Sequence, residues 1–168
     1  MINTFQALNF VMSGDIDGAL VEARDVNDVL KRINAQYPHD KQNAYTEDAF
    51  ARFLMGVLYE HKASYESYNN AYISYKKALD VYQQNYSKDY GIEAPLILKQ
   101  NLLTAAHFMG EEEFRSIKQK YHDVDFLSFK EKQQVAEVYL FYYYGFSPLK
   151  RQLDIPIPLP NGYISKLS

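Results

Sequence analysis

The side chains that could do chemistry are few and scattered. His122 and Asp123, with Asp125 two residues on, form a close imidazole–carboxylate group in the sequence. A His-Asp pair serves a metal hydrolase when other helices bring further His and carboxylate ligands to the same ion. Here those ligands would have to come from isolated residues. His39 lies in a polar loop and His61 near a helix end, where solvated imidazoles are ordinary, and His107 sits on an apolar helix, where a satisfied histidine is the plainer reading. Glu111-Glu112-Glu113 could draw a cation, but consecutive helical side chains diverge, and three acids suit the positive start of a helix. Tyr142-Tyr143-Tyr144 could stack on bases or sugars, yet alternation along a strand would turn at least one of them inward. Cysteine is absent, which excludes thiol catalysis, disulfides and Cys-ligated zinc. No G-x-S-x-G, phosphate loop, dinucleotide fingerprint or H-E-x-x-H occurs. The sequence therefore assigns no catalytic residue, no metal ligand and no cofactor. A hydrolase or glycan-binding module built on His107, His122 and surface tyrosines is the least favoured alternative.

Composition narrows the partners. The 168 residues are 47% hydrophobic and 23% charged, a globular balance able to bury a core. A net charge of −3 gives no basic field, so no nucleic acid is expected as a partner. No apolar run reaches the roughly 18 residues of a membrane span, so direct insertion by this segment is not expected. Met1-Ile2-Asn3-Thr4 has neither a basic start nor an apolar signal core, so no address is expected in the chain as given. Tyrosine is abundant, 16 residues beside 10 Phe and no Trp. Its apolar body and polar tip suit half-buried helix interfaces first and binding grooves second.

The elements that must carry these residues are mostly helices. Ile2, Phe5, Leu8 and Val11 share one helical face, and Ser13-Gly14-Asp15 breaks the chain, with Asp15 placed to cap the next helix. Ile16 to Ile33 continues as an amphipathic helix, and a polar loop covers Tyr37 to Ala44. Thr46 is the expected N-cap of a helix from Glu47 to about His61, with Tyr45 and Phe50 as its staple. A long turn, Lys62–Asn70, leads to a helix from about Asn70 to Tyr86. Ser87–Gly91 is a turn cluster, Pro95 opens a helix over Leu96–Met109, Gly110 closes it, and Glu111 starts another. Ser128 and Glu131 are spaced as a capping box for a short helix. Val138–Tyr144 is aromatic and β-prone. Leu153, Ile155, Ile157 and Leu159 alternate with Asp154, Pro156, Pro158 and Pro160, as in an edge strand, and Asn161-Gly162 is a hairpin turn before Tyr163–Leu167.

Gly56 and Tyr59, followed by Ala71, Tyr75 and Ala78, give G-x-x-Y then A-x-x-x-Y-x-x-A, with small and large residues set to interlock across two helices. This pair of signatures resembles the tetratricopeptide repeat (TPR), a helix–turn–helix unit of about 34 residues. Ala7 to Leu20 resembles it again, with Gly14-Asp15-Ile16-Asp17-Gly18-Ala19-Leu20 at the turn and Ala23 and Val26 in the second helix. Leu103 and Ala106 fit a third, degenerate unit in which Arg115 replaces the expected Ala. The equivalent Ala19 and Ala71 lie 52 residues apart, so the spacing departs from a regular array. The expected fold is mainly α: irregular TPR-like helical hairpins (an α–α superhelix) over residues 1–126. Residues 127–168 would add a short helix and a small C-terminal β element packed on the same domain.

The TPR resemblance implies a non-catalytic scaffold that binds a protein or peptide partner on its concave face. That face would carry Thr4, Leu8 and Val11 from the first unit, Phe53, Val57 and Glu60 from the second, and Gln100, Thr104 and His107 from the third. Leu8, Val57 and Thr104 stand where carboxylate-clamping TPRs place Asn, so an apolar or aromatic peptide, or a helix of this same protein, suits the wall better. Tyr144-Gly145-Phe146-Ser147-Pro148-Leu149-Lys150 before the Ile-Pro-Ile-Pro-Leu-Pro strand is similar to a group of bacterial TPR-like envelope lipoproteins. That resemblance implies a periplasmic or outer-membrane-anchored location and a chain excised from a longer one. The alternative is a structural segment whose wall simply packs internally.

Overall fold

The computed structural model describes residues 2–37 and 47–141, and the backbone of 156–158 and 164–166. The protein is mainly helical. The chain divides into two units, Met1–Ala136 and Glu137–Ser168.

The first unit is a succession of helices packed in sequence order. α1 (Ile2–Met12) and α2 (Ile16–Asn34) form a hairpin around Gly14, whose φ of +80° suits a residue without a Cβ. Asp15 caps α2, its carboxylate accepting from the Gly18 N–H at 2.8 Å. Gly18 also lets α1 approach closely: a Cβ there would stand 2.8 Å from Phe10 Cδ1.

α3 (Ala49–His61) packs on α2 behind it and on α4 (Tyr65–Val81) ahead of it. Its cap is Asp48, which accepts from the Ala51 N–H at 2.8 Å. Thr46, expected in that role, lies outside the described residues. The start moves to Asp48 because its own N–H is taken by the buried Asn27 carbonyl of α2, at 2.9 Å. Beside it Glu47 receives Arg52 at 2.9 and 3.0 Å and Lys31 at 3.5 Å. Burial pushes the Glu47 carboxyl up, but these cations outweigh it and hold the group below its ordinary value.

α4 begins five residues before the expected Asn70. Ser64 caps it, accepting from the Ser67 N–H at 3.1 Å, so the α3–α4 turn is short and the surplus residues add a helical turn instead. The tight turn places Ala63 at φ +52°, a left-handed conformation costly for a residue with a Cβ. α4 passes into a π-helical turn, Tyr82–Tyr86, and α5 (Ser87–Tyr90), stopped by Gly91 at φ +66°. The expected turn cluster at Ser87 is thus helical as far as Tyr90. α6 (Leu96–Met109) packs on α4, and α7 (Glu111–Lys120) folds back on α6 after Gly110, at φ +146°. Ser128 and Glu131 form the capping box of α8 (Phe129–Lys132).

The core lies between α3, α4 and α6. Tyr75, Ala71 and Ala78 are fully buried on α4, as are Leu98, Leu102, Leu103 and Ala106 on α6. The Tyr75 ring lies over Gly56, where a Cβ would stand 2.2 Å from Cε1 and 2.4 Å from Cδ1. Tyr59, the other residue of that signature, reaches back to α2, where its hydroxyl accepts from Arg24 at 2.5 Å.

In the second unit Val138–Phe141 is not a strand, and Val138 and Leu140 are almost fully exposed. β propensity alone does not make a strand without a partner to share its hydrogen bonds. Two short strands, β1 (Pro156–Pro158) and β2 (Ile164–Lys166), pair antiparallel with Ile157 opposite Ser165. Most residues expected to build a C-terminal β element, including Tyr142–Tyr144 and Gly145–Lys150, lie outside those described.

Two substitutions test this packing. Gly56→Ala forces its methyl into the Tyr75 ring and is expected to cost about 3 kcal/mol, near the top of the overpacking range; a urea melt within error of wild type would refute the contact. Ala63→Gly relieves the left-handed backbone and is expected to stabilise by roughly 0.5–1 kcal/mol after the entropy of the added glycine is offset. The same melts check it, and destabilisation would contradict the turn geometry.

Candidate functional site

A buried phenol sets up the site. Tyr75 is fully enclosed, so its hydroxyl must find partners inside the protein. The hydroxyl donates to Glu60 Oε2 at 2.9 Å, and the Asn101 amide approaches it at 3.4 Å. Glu60 comes from the last turn of α3 and Asn101 from the middle of α6, so three helices meet at this hydroxyl. A carboxylate with its side chain only 13% exposed calls for a cation. Lys132 of α8 supplies it, with Nζ 2.8 Å from Glu60 Oε2 and 3.1 Å from Asn101 Oδ1.

The segment leading into α8 lies along α6. Gln100 Nε2 donates to the Asp125 carbonyl at 3.0 Å, and Thr104 Oγ1 to the Leu127 carbonyl at 2.7 Å. Phe126 packs on Phe114 at 5.3 Å and on His107 at 6.2 Å between ring centroids. Phe129 meets Tyr68 edge-on at 4.7 Å and Phe108 at 4.6 Å, while Tyr65 joins Phe108 from the outside at 5.7 Å.

The nine wall residues expected from the sequence fall into four groups. Glu60, Gln100 and Thr104 come together and engage the Asp125–Lys132 segment. His107 is exposed and sets its ring against Phe114 and Phe126. Phe53 is buried with its ring 5.9 Å from Tyr75, and Val57 is half-buried beside it in α3. Thr4 is buried in α1, whereas Leu8 and Val11 are half-buried there.

Asn101, Lys132, Tyr68, Phe108 and Phe129 were not singled out from sequence. The capping box announced α8, but nothing in the sequence tied Lys132 to Glu60, 72 residues away. Among the described residues no three His, Asp or Glu side chains gather to hold a metal ion. His122 is exposed, at the edge of a shallow depression with Phe114, Arg115 and Lys118, and His39 lies outside the described residues. Nor is any described helix long and apolar enough to cross a membrane. The arrangement can hold a polypeptide backbone, aromatic side chains and one ammonium group.

No family model matches the chain, and neither does any curated protein or solved structure.

Removing the shared acceptor tests the site. Glu60→Ala leaves the Tyr75 hydroxyl and the Lys132 ammonium facing a gap, and is expected to cost roughly 2–4 kcal/mol in urea denaturation. A loss below 0.5 kcal/mol, on the order of a surface change, would show that this junction is not tied together through Glu60.

Proposed function

We propose that this chain is a non-catalytic scaffold of TPR-like helical hairpins that binds a segment of a partner protein on the wall formed by α1, α3 and α6. The observation that carries the proposal is the pair of side-chain bonds from Gln100 and Thr104 to the carbonyls of Asp125 and Leu127. Side-chain donors that grip alternate backbone carbonyls are a means of holding peptide irrespective of its sequence, with pockets alongside supplying selectivity. Phe114, Phe108 and Tyr68 offer aromatic seats, and Glu60 with Asn101 a seat for a cation. The resemblance to envelope lipoproteins adds a bacterial periplasmic or outer-membrane-anchored setting to the proposal.

The same bonds favour a second reading. Glu60, Gln100 and Thr104 already face a segment of their own chain, as in a structural module whose wall is internal packing.

Site-specific photocrosslinking in the cells that make the protein separates the two. A benzophenone residue at Leu8 or Val11 is expected to trap one defined partner protein, while the same residue at the exposed Lys76 of α4 traps none. Equal labelling at all three positions, or none at the wall, would contradict the scaffold reading and favour the structural one.

A further inference from the structure

We propose that Asp125–Lys132 is a resident ligand of the α3 and α6 part of this wall, flanked by Tyr68 of α4 and Phe114 of α7, and that a partner segment of the same chemistry takes its place. The segment recognised would have aromatic residues three apart and a lysine three residues further on, as Phe126, Phe129 and Lys132 have here. The proposal rests on the peptide-binding reading above and adds to it what is bound and what must leave.

The geometry is that of a ligand seated in a receptor. Gln100 and Thr104 are one helical turn apart, a rise of about 6 Å. The carbonyls they bind are two residues apart in non-helical chain, and two extended residues span about 6.6 Å. The helix therefore presents donors at the repeat of an extended backbone, and each bond uses only a carbonyl that any peptide possesses. Selectivity comes from the side chains between and beyond. Phe126 enters beside His107 and Phe114, where Lys118 Nζ lies 5.5 Å from its ring centroid. Phe129 enters between Tyr68 and Phe108, and Tyr65, 70% exposed, leaves this seat open to solvent on its outer side. Lys132 enters between Glu60 and Asn101. Leu127, by contrast, faces outward.

Occupation by a covalently attached segment lowers the affinity of a free one, because a binder must wait for the fraction of molecules in which the wall is vacant. Weakening the attached segment while leaving the seats intact should raise affinity for the free one. Lys132→Ala does this at the cationic end and Phe129→Ala at the aromatic end, and neither alters Glu60, Gln100, Asn101, Thr104 or Phe108.

The probe is a fluorescein-labelled peptide of sequence Asp-Phe-Leu-Ser-Phe-Lys-Glu-Lys, titrated into the whole chain and followed by anisotropy. Both variants are expected to bind it about tenfold more tightly than wild type. The same peptide with its second Phe and last Lys replaced by Ala should lose that gain. Circular dichroism melts accompany the titrations. Should either variant fail to fold, excess peptide is added to wild type and the backbone amide resonances of Phe126 and Phe129 in the protein are followed; both should leave their seated positions with the intact peptide and stay there with the substituted one. No gain in folded variants, an equal gain with the substituted peptide, or unmoved amides in wild type would overturn the proposal. A wild-type dimer that dissociates on Lys132→Ala would place the segment on a second copy and overturn residence within one chain. A negative peptide result beside a partner crosslinked at Leu8 or Val11 removes the resident ligand and leaves the scaffold reading standing; negatives in both remove both.

Discussion

The contact on which the rest depends is the one between the Tyr75 ring and the missing side chain of Gly56. Small residues bring α3 and α4 close enough for a phenol to occupy the space a Cβ of Gly56 would need, and burial of that ring is a large apolar gain. The gain carries an obligation, since the hydroxyl goes in with the ring. Glu60 meets it from α3 and Asn101 from α6. A carboxylate drawn into that position needs a counter-ion, and Lys132 brings one from α8. Steric fit between two helices thus determines, through one hydroxyl and one charge, where a segment some seventy residues further along must come to rest. The aromatic seats and the carbonyl bonds of α6 then fix the course of the chain between.

Much of the helical framework was legible in the sequence because its signals are local. Asp15, Gly14, Gly110 and the Ser128–Glu131 box each act within a few residues of themselves, and they end or begin helices where their chemistry says they should. The Gly56–Tyr75 signature was legible too, because size alternation at helical spacing leaves a record on both partners. Errors arose where a distant group decided a local question. Asn27 fixes the start of α3 at Asp48, and Ser64 with a left-handed Ala63 turns what looked like a long loop into a longer α4.

At the candidate site, Gln100 and Thr104 fall on one side of α6 because helical periodicity puts them there, and periodicity can be read from sequence; that Glu60 of α3 meets the same segment could not be read. Nor could the segment itself. Asp125–Ser128 has no helical or strand period, and its carbonyls carry no residue-specific mark. The tyrosine excess has a mixed explanation. Tyr75 belongs to the core, Tyr59 joins α3 to α2, and Tyr68 helps to seat Phe129.

Order of opening is the most direct test of this account. Segments held by a few side-chain contacts should open before the body that they rest on, whereas groups tied into the core open only with it. Native-state hydrogen exchange across low denaturant would resolve the amides of Val124–Lys132 from those of α3, α4 and α6. The account predicts that α3, α4 and α6 share the highest opening free energy and that Val124–Lys132 opens at a distinctly lower one. Exchange of that segment together with the three helices, at one common free energy, would make it an inseparable part of the core and contradict the view of it as an occupant.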